Sequence, residues 1–484
     1  MAEISKRDRM RMERTETPLR DPALRSGDFG EVDLGYTSAL AILEASRCLN
    51  CKRPVCIEGC PVGVQIDDFV ALVAEGQMVE AAAVILEDNV LPAICGRVCP
   101  QERQCEGACV LAKKGRPIAI GALERFVADS ELARLREAGS PPSAPPTGHR
   151  IAVIGSGPAG LACAADLAKL GHGVTVFEAL HEVGGVLTYG IPSFRLPKEI
   201  VAAEIDRLCA SGVVFETDVL VGASVTLDEL LGRDGYDAVF VGTGAGLPRF
   251  PGIDGEDLIG VYTANEFLTR VNLMHANDPE SRTPVYDLDG RGVVIIGGGN
   301  TAVDAARTAL RLSAKDVTVV YRRSLDEMPA RKEEVLHAEQ EGVVIRCLAT
   351  PTRFVGSHGW LTAVVLQEMR LGSADPDGRA QPLPIPESTE TISADVAIIA
   401  IGNDPNPILI DASPGLDQTE RGTLAVDPVT GATSLPGVFA GGDIATGGAT
   451  VILALGAGRR AAAGIDEWIR TSRDTSLQDG RRLT

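Results

Sequence analysis

Eight of the eleven cysteines in this chain of 484 residues lie between Cys48 and Cys109, in two bursts. The first reads Cys48-x2-Cys51-x4-Cys56-x3-Cys60-Pro61 and the second Cys95-x3-Cys99-Pro100-x4-Cys105-x3-Cys109. Short loops that each offer several thiolates, each with a Cys-Pro step, suit a pair of iron–sulfur clusters; in two-cluster runs the last cysteine of a run serves the other cluster. Such a pair moves single electrons, so the spacing points to redox chemistry. Structural zinc favours paired C-x2-C knuckles, and only Cys48 and Cys51 have that form. Disulfides need an oxidising compartment. Met1 to Arg14 is charged and lacks the apolar core of a secretion signal, so a cytoplasmic protein is expected. By spacing alone all eight thiols go to iron.

Two glycine-rich turns carry the second kind of chemistry. Ile151-Ala-Val-Ile-Gly155-Ser-Gly157-Pro-Ala-Gly160 and Val293-Val-Ile-Ile-Gly297-Gly-Gly299-Asn300-Thr301-Ala302 each run from an apolar strand into a helix. The first glycine allows a tight turn and the second lets backbone approach a pyrophosphate. The third position, Gly160 or Ala302, lets helix pack on strand, and the helix N-terminus faces the anion. After the first turn the next strand ends at Glu178, a carboxylate that suits ribose hydroxyls and repels a 2′-phosphate, so FAD or NAD fits there. After the second the matching strand ends at Arg322-Arg323, whose guanidiniums suit the 2′-phosphate of NADP; a solvated strand end is the plainer alternative. Arg331 is near these in sequence. Val438-Phe-Ala-Gly441-Gly442-Asp443 is an apolar strand ending in a carboxylate that can reach a ribityl or phosphate group. Gly447-Gly-Ala-Thr450-Val451 opens a helix whose positive end can face a flavin.

These residues need three supports. Residues 1–137 read as helical, with Ile66, Phe69, Val70 and Val73 at helical period and Asp67 and Asp68 at the helix start. A Pro-rich spacer, Gly139 to Gly148, lies within a linker assigned to 138–149. Beyond it short β runs alternate with helices, the pattern of parallel α/β layers. The expected fold is therefore α/β: a helical bis-[4Fe–4S] domain (1–137) and two Rossmann-like domains, FAD (150–247 and 403–484) and NADPH (248–402), the second inserted in the first. Strand ends at Val239–Gly244 and Ile398–Gly402 mark the crossings. A 45% apolar composition fills such cores. A net charge of −20 argues against nucleic acid, which needs a basic face. No run approaches the roughly 18 apolar residues of a membrane span.

In this order the modules resemble the small (β) subunit family of NADPH-dependent glutamate synthase. They also resemble the large subunit of NADH-dependent ferredoxin:NADP oxidoreductase, the sulfide dehydrogenase α subunit and the N-terminal half of dihydropyrimidine dehydrogenase. Ser46-Arg-Cys-Leu-Asn-Cys51, Cys95-Gly-Arg-Val-Cys-Pro-Gln-Glu102, Gly184-Gly185-Val-Leu-Thr-Tyr-Gly-Ile-Pro192 and Tyr321-Arg-Arg323 carry the likeness. Asp28 to Thr37, Cys51-Lys-Arg-Pro54 and Gly59-Cys-Pro61 lean towards the ferredoxin-linked and sulfide dehydrogenase branch. The resemblance implies that Cys48, Cys51, Cys56 and Cys109 hold one cluster and that Cys60, Cys99 and Cys105 hold the other with a non-cysteine ligand. Gly121-Ala-Leu-Glu124 aligns with a Gly-Gly-Leu-Gln segment, which makes Glu124 the fourth ligand and Cys95 a spare thiol. It further implies hydride transfer from NADPH to FAD and single-electron relay to a partner, either a glutamate synthase large subunit or a ferredoxin-linked flavoprotein subunit. No catalytic acid or base is assigned. A disulfide reductase would need a cysteine pair beside the flavin, where only Cys163 and Cys209 are present, with Cys347 further on. A one-chain glutamate synthase has no spare glutaminase domain, and a non-catalytic cluster scaffold fits poorly with two intact fingerprints.

Overall fold

The computed structural model describes residues 5–138, 144–278, 280–283, 287–374 and 378–480. Residues 139–143, the first half of the Pro-rich spacer, lie outside it.

The N-terminal part is helical. Ile66, Phe69, Val70 and Val73 are the buried face of the helix Ile66–Glu75, which carries Asp67 and Asp68 in its first turn and ends on Gly76 at a φ of 79°. The helix packs with Met78–Asp88 and the long helix Ile120–Ala138 around Ile85, Leu123 and Val127.

Beyond His149 come β1 (Arg150–Ile154), β2 (Gly173–Phe177), β3 (Val214–Glu216) and β4 (Ala238–Val241), then β5 (Leu247–Pro248). A second set follows: β6 (Val261–Thr263), β7 (Gly292–Ile296), β8 (Asp316–Tyr321) and β9 (Val344–Cys347). The long strands β10 (Ala349–Ser357), β11 (Trp360–Ala374) and β12 (Ala380–Ser393) precede β13 (Val396–Ile399), β14 (Asn403–Asp404) and β15 (Val438–Ala440). Two five-stranded sheets result, ordered β15-β4-β1-β2-β3 and β6-β13-β7-β8-β9, with every pair parallel. Strands β1, β4, β7 and β13 are almost wholly apolar, as strands covered on both faces must be. The first sheet is completed by β15, which comes after the second sheet in the chain, so the second unit is inserted in the first. The two crossings pair with each other: β14 lies antiparallel to β5, Asn403 opposite Pro248 and Asp404 opposite Leu247.

The antiparallel sheet β10-β11-β12 is appended to the second unit. Phe354, Leu361, Val364 and Leu366 from it join Val294, Ile296 and Ile399 in one apolar core.

A buried charge network ties three parts of the chain together. Glu341 accepts from Arg25 Nε at 2.9 Å, Arg307 Nη2 at 2.7 Å and Arg311 Nη1 at 2.8 Å, with all four side chains at or near zero exposure. Arg195, from the first nucleotide unit, pairs with Asp304 at 2.7 Å and Glu334 at 3.2 Å in the second. The Arg311 guanidinium lies 3.9 Å from the ring centre of Phe194, which in turn meets Phe29 of the N-terminal strap.

Candidate cofactor sites

The thiols of Cys48, Cys51, Cys56 and Cys109 line one cavity, walled by Ile66, Val70, Leu111 and Ile120. The two bursts close on each other over Gly59, where a Cβ would come within 2.8 Å of the Gln104 carbonyl oxygen and Ala108 Cβ. Burial pushes the Cys56 thiol up to about 12, with Cys109 and Cys48 adding to the rise. Cys48 and Cys51 are raised by burial first and by neighbouring thiols after it. Thiols so placed keep a negative charge only where a cation takes the place of water, which iron does. Among the described residues no three His, Cys, Asp or Glu side chains converge as ligands of a single ion. The four thiols instead surround a space, as a cluster with one thiolate per iron requires.

Cys60, Cys99 and Cys105 form a second group, and the charge of Glu124 acts on all three. Burial raises the Cys60 and Cys105 thiols, and a hydrogen bond with Cys95 raises that of Cys99; in each the Glu124 carboxyl adds to the rise. Burial pushes Glu124 up to about 7, and the Asn89 amide, donating to Oε1 at 2.7 Å, pulls it back. Cys95 is buried too, its Sγ 3.6 Å from Asn89 Oδ1. Asn89 was not picked out from the sequence; an isolated asparagine before Val90-Leu-Pro gives no signal. The backbones meet because Gly96 has no side chain: a Cβ there would lie 2.6 Å from the Arg125 nitrogen. Cys95 and Cys99 share an apolar core with Ala159, Ile452 and Leu455 of the first nucleotide unit.

In the first fingerprint Gly155 has a φ of +93°, and a Cβ on Gly160 would fall 1.9 Å from the Gly155 carbonyl oxygen. Helix and turn therefore touch backbone to backbone. A Cβ on Gly157 would meet nothing within 4 Å, and Gly157 begins the helix Pro158–Lys169 without a side-chain cap. The open space before uncapped N–H groups fits a pyrophosphate. Glu178 follows β2 directly. Its Oε2 accepts from Ser156 N at 3.0 Å and from Ser156 Oγ, and its Oε1 from Leu180 N at 2.9 Å. Ser156 Oγ in turn accepts from Gly184 N at 2.9 Å. Glu178 thus draws the Gly184-Gly185 turn onto the fingerprint, where a Gly185 Cβ would lie 2.8 Å from Gly157 Cα. Ser156, the middle residue of Gly-Ser-Gly, was not singled out in the sequence. Gly442 packs on Ala159 (2.9 Å from a built Cβ), and Asp443 Oδ1 accepts from Ala449 N at 3.1 Å. Thr450 and Val451 open the helix Val451–Gly480.

The second fingerprint repeats this layout. Gly297 has a φ of +144° under the Ala400 carbonyl, Gly299 faces open space, and Ala302 is fully buried. Asn300 Oδ1 accepts from Arg331 N at 2.9 Å, and the Gly298 carbonyl accepts from Ala330 N at 3.1 Å. Thr301 is exposed on the first turn of the helix Asn300–Arg311. The two arginines differ. Arg323 is buried and donates through Nε to the Ala380 carbonyl at 2.8 Å, whereas Arg322 is exposed. Arg331 is buried and donates to the Arg97 carbonyl at 2.6 Å and to Glu333 at 2.9 Å.

Because the space at Gly157 is open, Gly157→Val should leave the fold intact while flavin occupancy after purification falls about tenfold, the cost of crowding a ligand by roughly 1–3 kcal/mol. Absorbance of bound flavin at unchanged thermal midpoint measured with excess FAD checks this.

Two family models match the chain: dihydropyrimidine dehydrogenase domain II, 4Fe-4S cluster, over residues 25–135, and pyridine nucleotide-disulphide oxidoreductase over residues 149–460. Together they define an iron–sulfur oxidoreductase with paired nucleotide-binding units. The glutamate synthase [NADPH] small chain of Escherichia coli (strain K12) is 37% identical over 467 residues, covering 95% of this chain and 98% of that one. This chain belongs to the glutamate synthase small-chain family. The NADP(+)-dependent formate dehydrogenase subunit beta of Moorella thermoacetica is 40% identical over 437 residues, 86% of this chain, which spans 60% of that protein. Among solved structures, Mycobacterium tuberculosis FprA in complex with NADPH superposes with a TM-score of 0.57 at 21% identity, over 69% of this chain and 86% of that one, a likeness of fold. Among the described residues no helix is long and apolar enough to cross a membrane.

Proposed function

We propose that this chain takes electrons from NADPH and delivers them singly to a partner subunit of glutamate synthase type. The chemistry supplied by the bound cofactors is hydride transfer from NADPH to FAD and one-electron transfer through two [4Fe–4S] clusters. The residues of the chain bind and orient. Gly155, Gly157 and Gly160, with Glu178, Gly184, Gly185, Gly442, Asp443, Thr450 and Val451, cradle FAD. Gly297, Gly299, Asn300, Thr301 and Ala302 receive the NADPH pyrophosphate, and Arg322 its 2′-phosphate. Cys48, Cys51, Cys56 and Cys109 hold one cluster; Cys60, Cys99, Cys105 and Glu124 hold the other.

One observation carries the relay: the second thiol group lies against the flavin-side helix. A Cβ on Gly456, in the second turn of Val451–Gly480, would meet Val62 Cγ1 at 3.2 Å and the Pro61 carbonyl oxygen at 3.6 Å. Cys60, one residue before Pro61, therefore stands next to the helix whose first residues are proposed to hold FAD. Anaerobic addition of NADPH to the holoprotein should bleach flavin and cluster absorbance together. Flavin bleaching with clusters left oxidised defeats the relay.

A second reading, a ferredoxin-linked flavoprotein subunit as partner, is favoured by the Cys51-Lys-Arg-Pro54 and Gly59-Cys-Pro61 segments. Co-purification from the native host separates a large synthase subunit from a small flavoprotein.

Nucleotide choice should depend on Arg322. A charge-assisted contact of roughly 1.5–3 kcal/mol makes Arg322→Ala about 10- to 100-fold weaker for NADPH and nearly neutral for NADH. Arg323→Ala should weaken both nucleotides alike, since Arg323 braces the Ala380 carbonyl. Binding titrations with both nucleotides decide it; equal losses in Arg322→Ala remove the assignment.

A further inference from the structure

We infer that the surface around the Cys48–Cys51–Cys56–Cys109 cavity is the docking face for the electron partner, and that the partner presents an acidic surface to it; this rests on reading that cavity as a cluster site. The first thiol group is the nearer of the two to solvent: Cys48, Cys51 and Cys56 are partly exposed and only Cys109 is buried, whereas in the second Cys60 is partly exposed and both Cys99 and Cys105 are buried.

The charge around the cavity runs against that of the chain. The protein carries −20 overall, yet Lys6, Arg7, Lys52, Arg53, Lys113 and Lys114 are all exposed on three segments that meet there. Contacts between the segments bring them together. Lys6 acts electrostatically on the Cys51 thiol, after burial and Cys109. Arg9 Nη1 donates to the Cys48 carbonyl at 2.6 Å. Lys114 Nζ lies 3.9 Å from Met10 Sδ. The acids nearby are partly engaged: Asp8 accepts from Ser5 Oγ at 2.6 Å, and Glu13 pairs with Arg116 at 2.7 Å. Glu58 and Asp68 are exposed, and Asp67 lines the cavity.

Within this collar are two partly exposed apolar side chains, Met10 at 36% and Val110 at 38%, and Val110 adjoins Cys109. An apolar spot with a charged rim is the layout of a protein interface. Rim charges mainly set encounter rate and salt dependence. Screening confines the −20 background to about 8–10 Å at ordinary salt, so the local collar governs approach. An acidic redox protein is drawn to this face and turned away from the rest of the surface.

The test uses the holoprotein and a small acidic [2Fe–2S] ferredoxin as probe. Direct binding and the rate of ferredoxin reduction are measured at low and at physiological salt. Lys113→Glu with Lys114→Glu, and separately Lys6→Glu with Arg7→Glu, should each weaken association roughly tenfold or more at low salt and flatten its salt dependence. Arg370→Glu with Arg421→Glu, exposed charges remote in sequence from the cysteine module, should do neither. Iron content and NADPH-driven bleaching should be the same in all variants. If NADPH fails to bleach the clusters of the unaltered protein, the relay reading falls while the binding data still judge the docking face. Equal binding by all three variants overturns the docking face. So does an anionic oligonucleotide that binds as tightly as the ferredoxin and competes with it.

Discussion

Glu124→Ala should lose one cluster, leaving about four irons per chain in place of about eight, or convert it to a [3Fe–4S] form with a changed paramagnetic spectrum. The expectation combines an alignment with a geometry. Glu124 stands where a related segment carries glutamine, and its carboxyl acts on the Cys60, Cys99 and Cys105 thiols together. Without iron the site is costly. The buried thiols of Cys99 and Cys105, the partly exposed Cys60 and a carboxyl pushed up to about 7 by burial are gathered in one place, the carboxyl accepting from the Asn89 amide at 2.7 Å. A cluster cation removes that conflict, and Asn89 then fixes which carboxylate oxygen remains free for it. Cys95→Ala tests the alternative. Cys95 points at Asn89 Oδ1 and shares a hydrogen bond with Cys99, so its loss should leave a small cavity, both clusters and a cost of about 1 kcal/mol. Iron counts and paramagnetic resonance on the two variants settle the choice. Iron lost from Cys95→Ala and kept in Glu124→Ala would return the ligand role to the eighth cysteine, as spacing alone has it.

What the sequence revealed was local. A glycine fingerprint must stand between an apolar strand and a helix, so its position gives fold and cradle together; Gly155, Gly160 and Gly297 are held within 1.9–2.6 Å of carbonyl oxygens, measured from the Cβ they lack. The period of Ile66, Phe69, Val70 and Val73 is equally local. The appended sheet was harder to read, because β12 carries Pro382, Pro384 and Pro386, and proline argues against a strand. Among the described residues it survives as an edge strand with only β11 to pair. The division of labour between Arg322 and Arg323 was hidden, since it turns on a carbonyl 57 residues away. Hidden for the same reason was the buried network, whose Arg25 and Glu341 are 316 residues apart.

Removing Glu341 should therefore be the most damaging single change outside the cofactor sites. Glu341→Ala leaves the Arg25, Arg307 and Arg311 guanidiniums buried without their shared anion, and breaking a buried pair on one side costs about 3–5 kcal/mol. The strap bearing Arg25, the helix Asn300–Arg311 and the helix Lys332–Gln340 all lose an anchor at once. The effect carries a pH signature. Burial alone would raise the Glu341 carboxyl, but hydrogen bonds from Arg307 and Arg311 outweigh it and hold it at about 2, against an ordinary 4.5. Its contribution is thus fully present above about 4.5 and is lost as pH falls towards 2. His337, pushed down by burial to about 4 from 6.5, also favours the folded state above 6.5 and loses that share as pH falls towards 4. Asp304, pushed up by burial to about 6 from 3.8, has the opposite sign and offsets His337 over much of the same window. Burial would raise the Glu334 carboxyl too, but the Arg195, Arg307 and Arg331 charges outweigh it and hold it well below the ordinary carboxylate range, so Glu341 and Glu334 together carry the loss below about 4.5. The gap in stability between the unaltered protein and Glu341→Ala should be widest at neutral pH and narrow from pH 4.5 towards 2, while Arg370→Ala, on the exposed face of β11, should track the unaltered protein throughout. Unfolding rates with cofactors bound, followed by flavin release, give the comparison, and a gap that stays constant down to pH 3 would mean that Glu341 does not hold its charge through the Arg307 and Arg311 contacts.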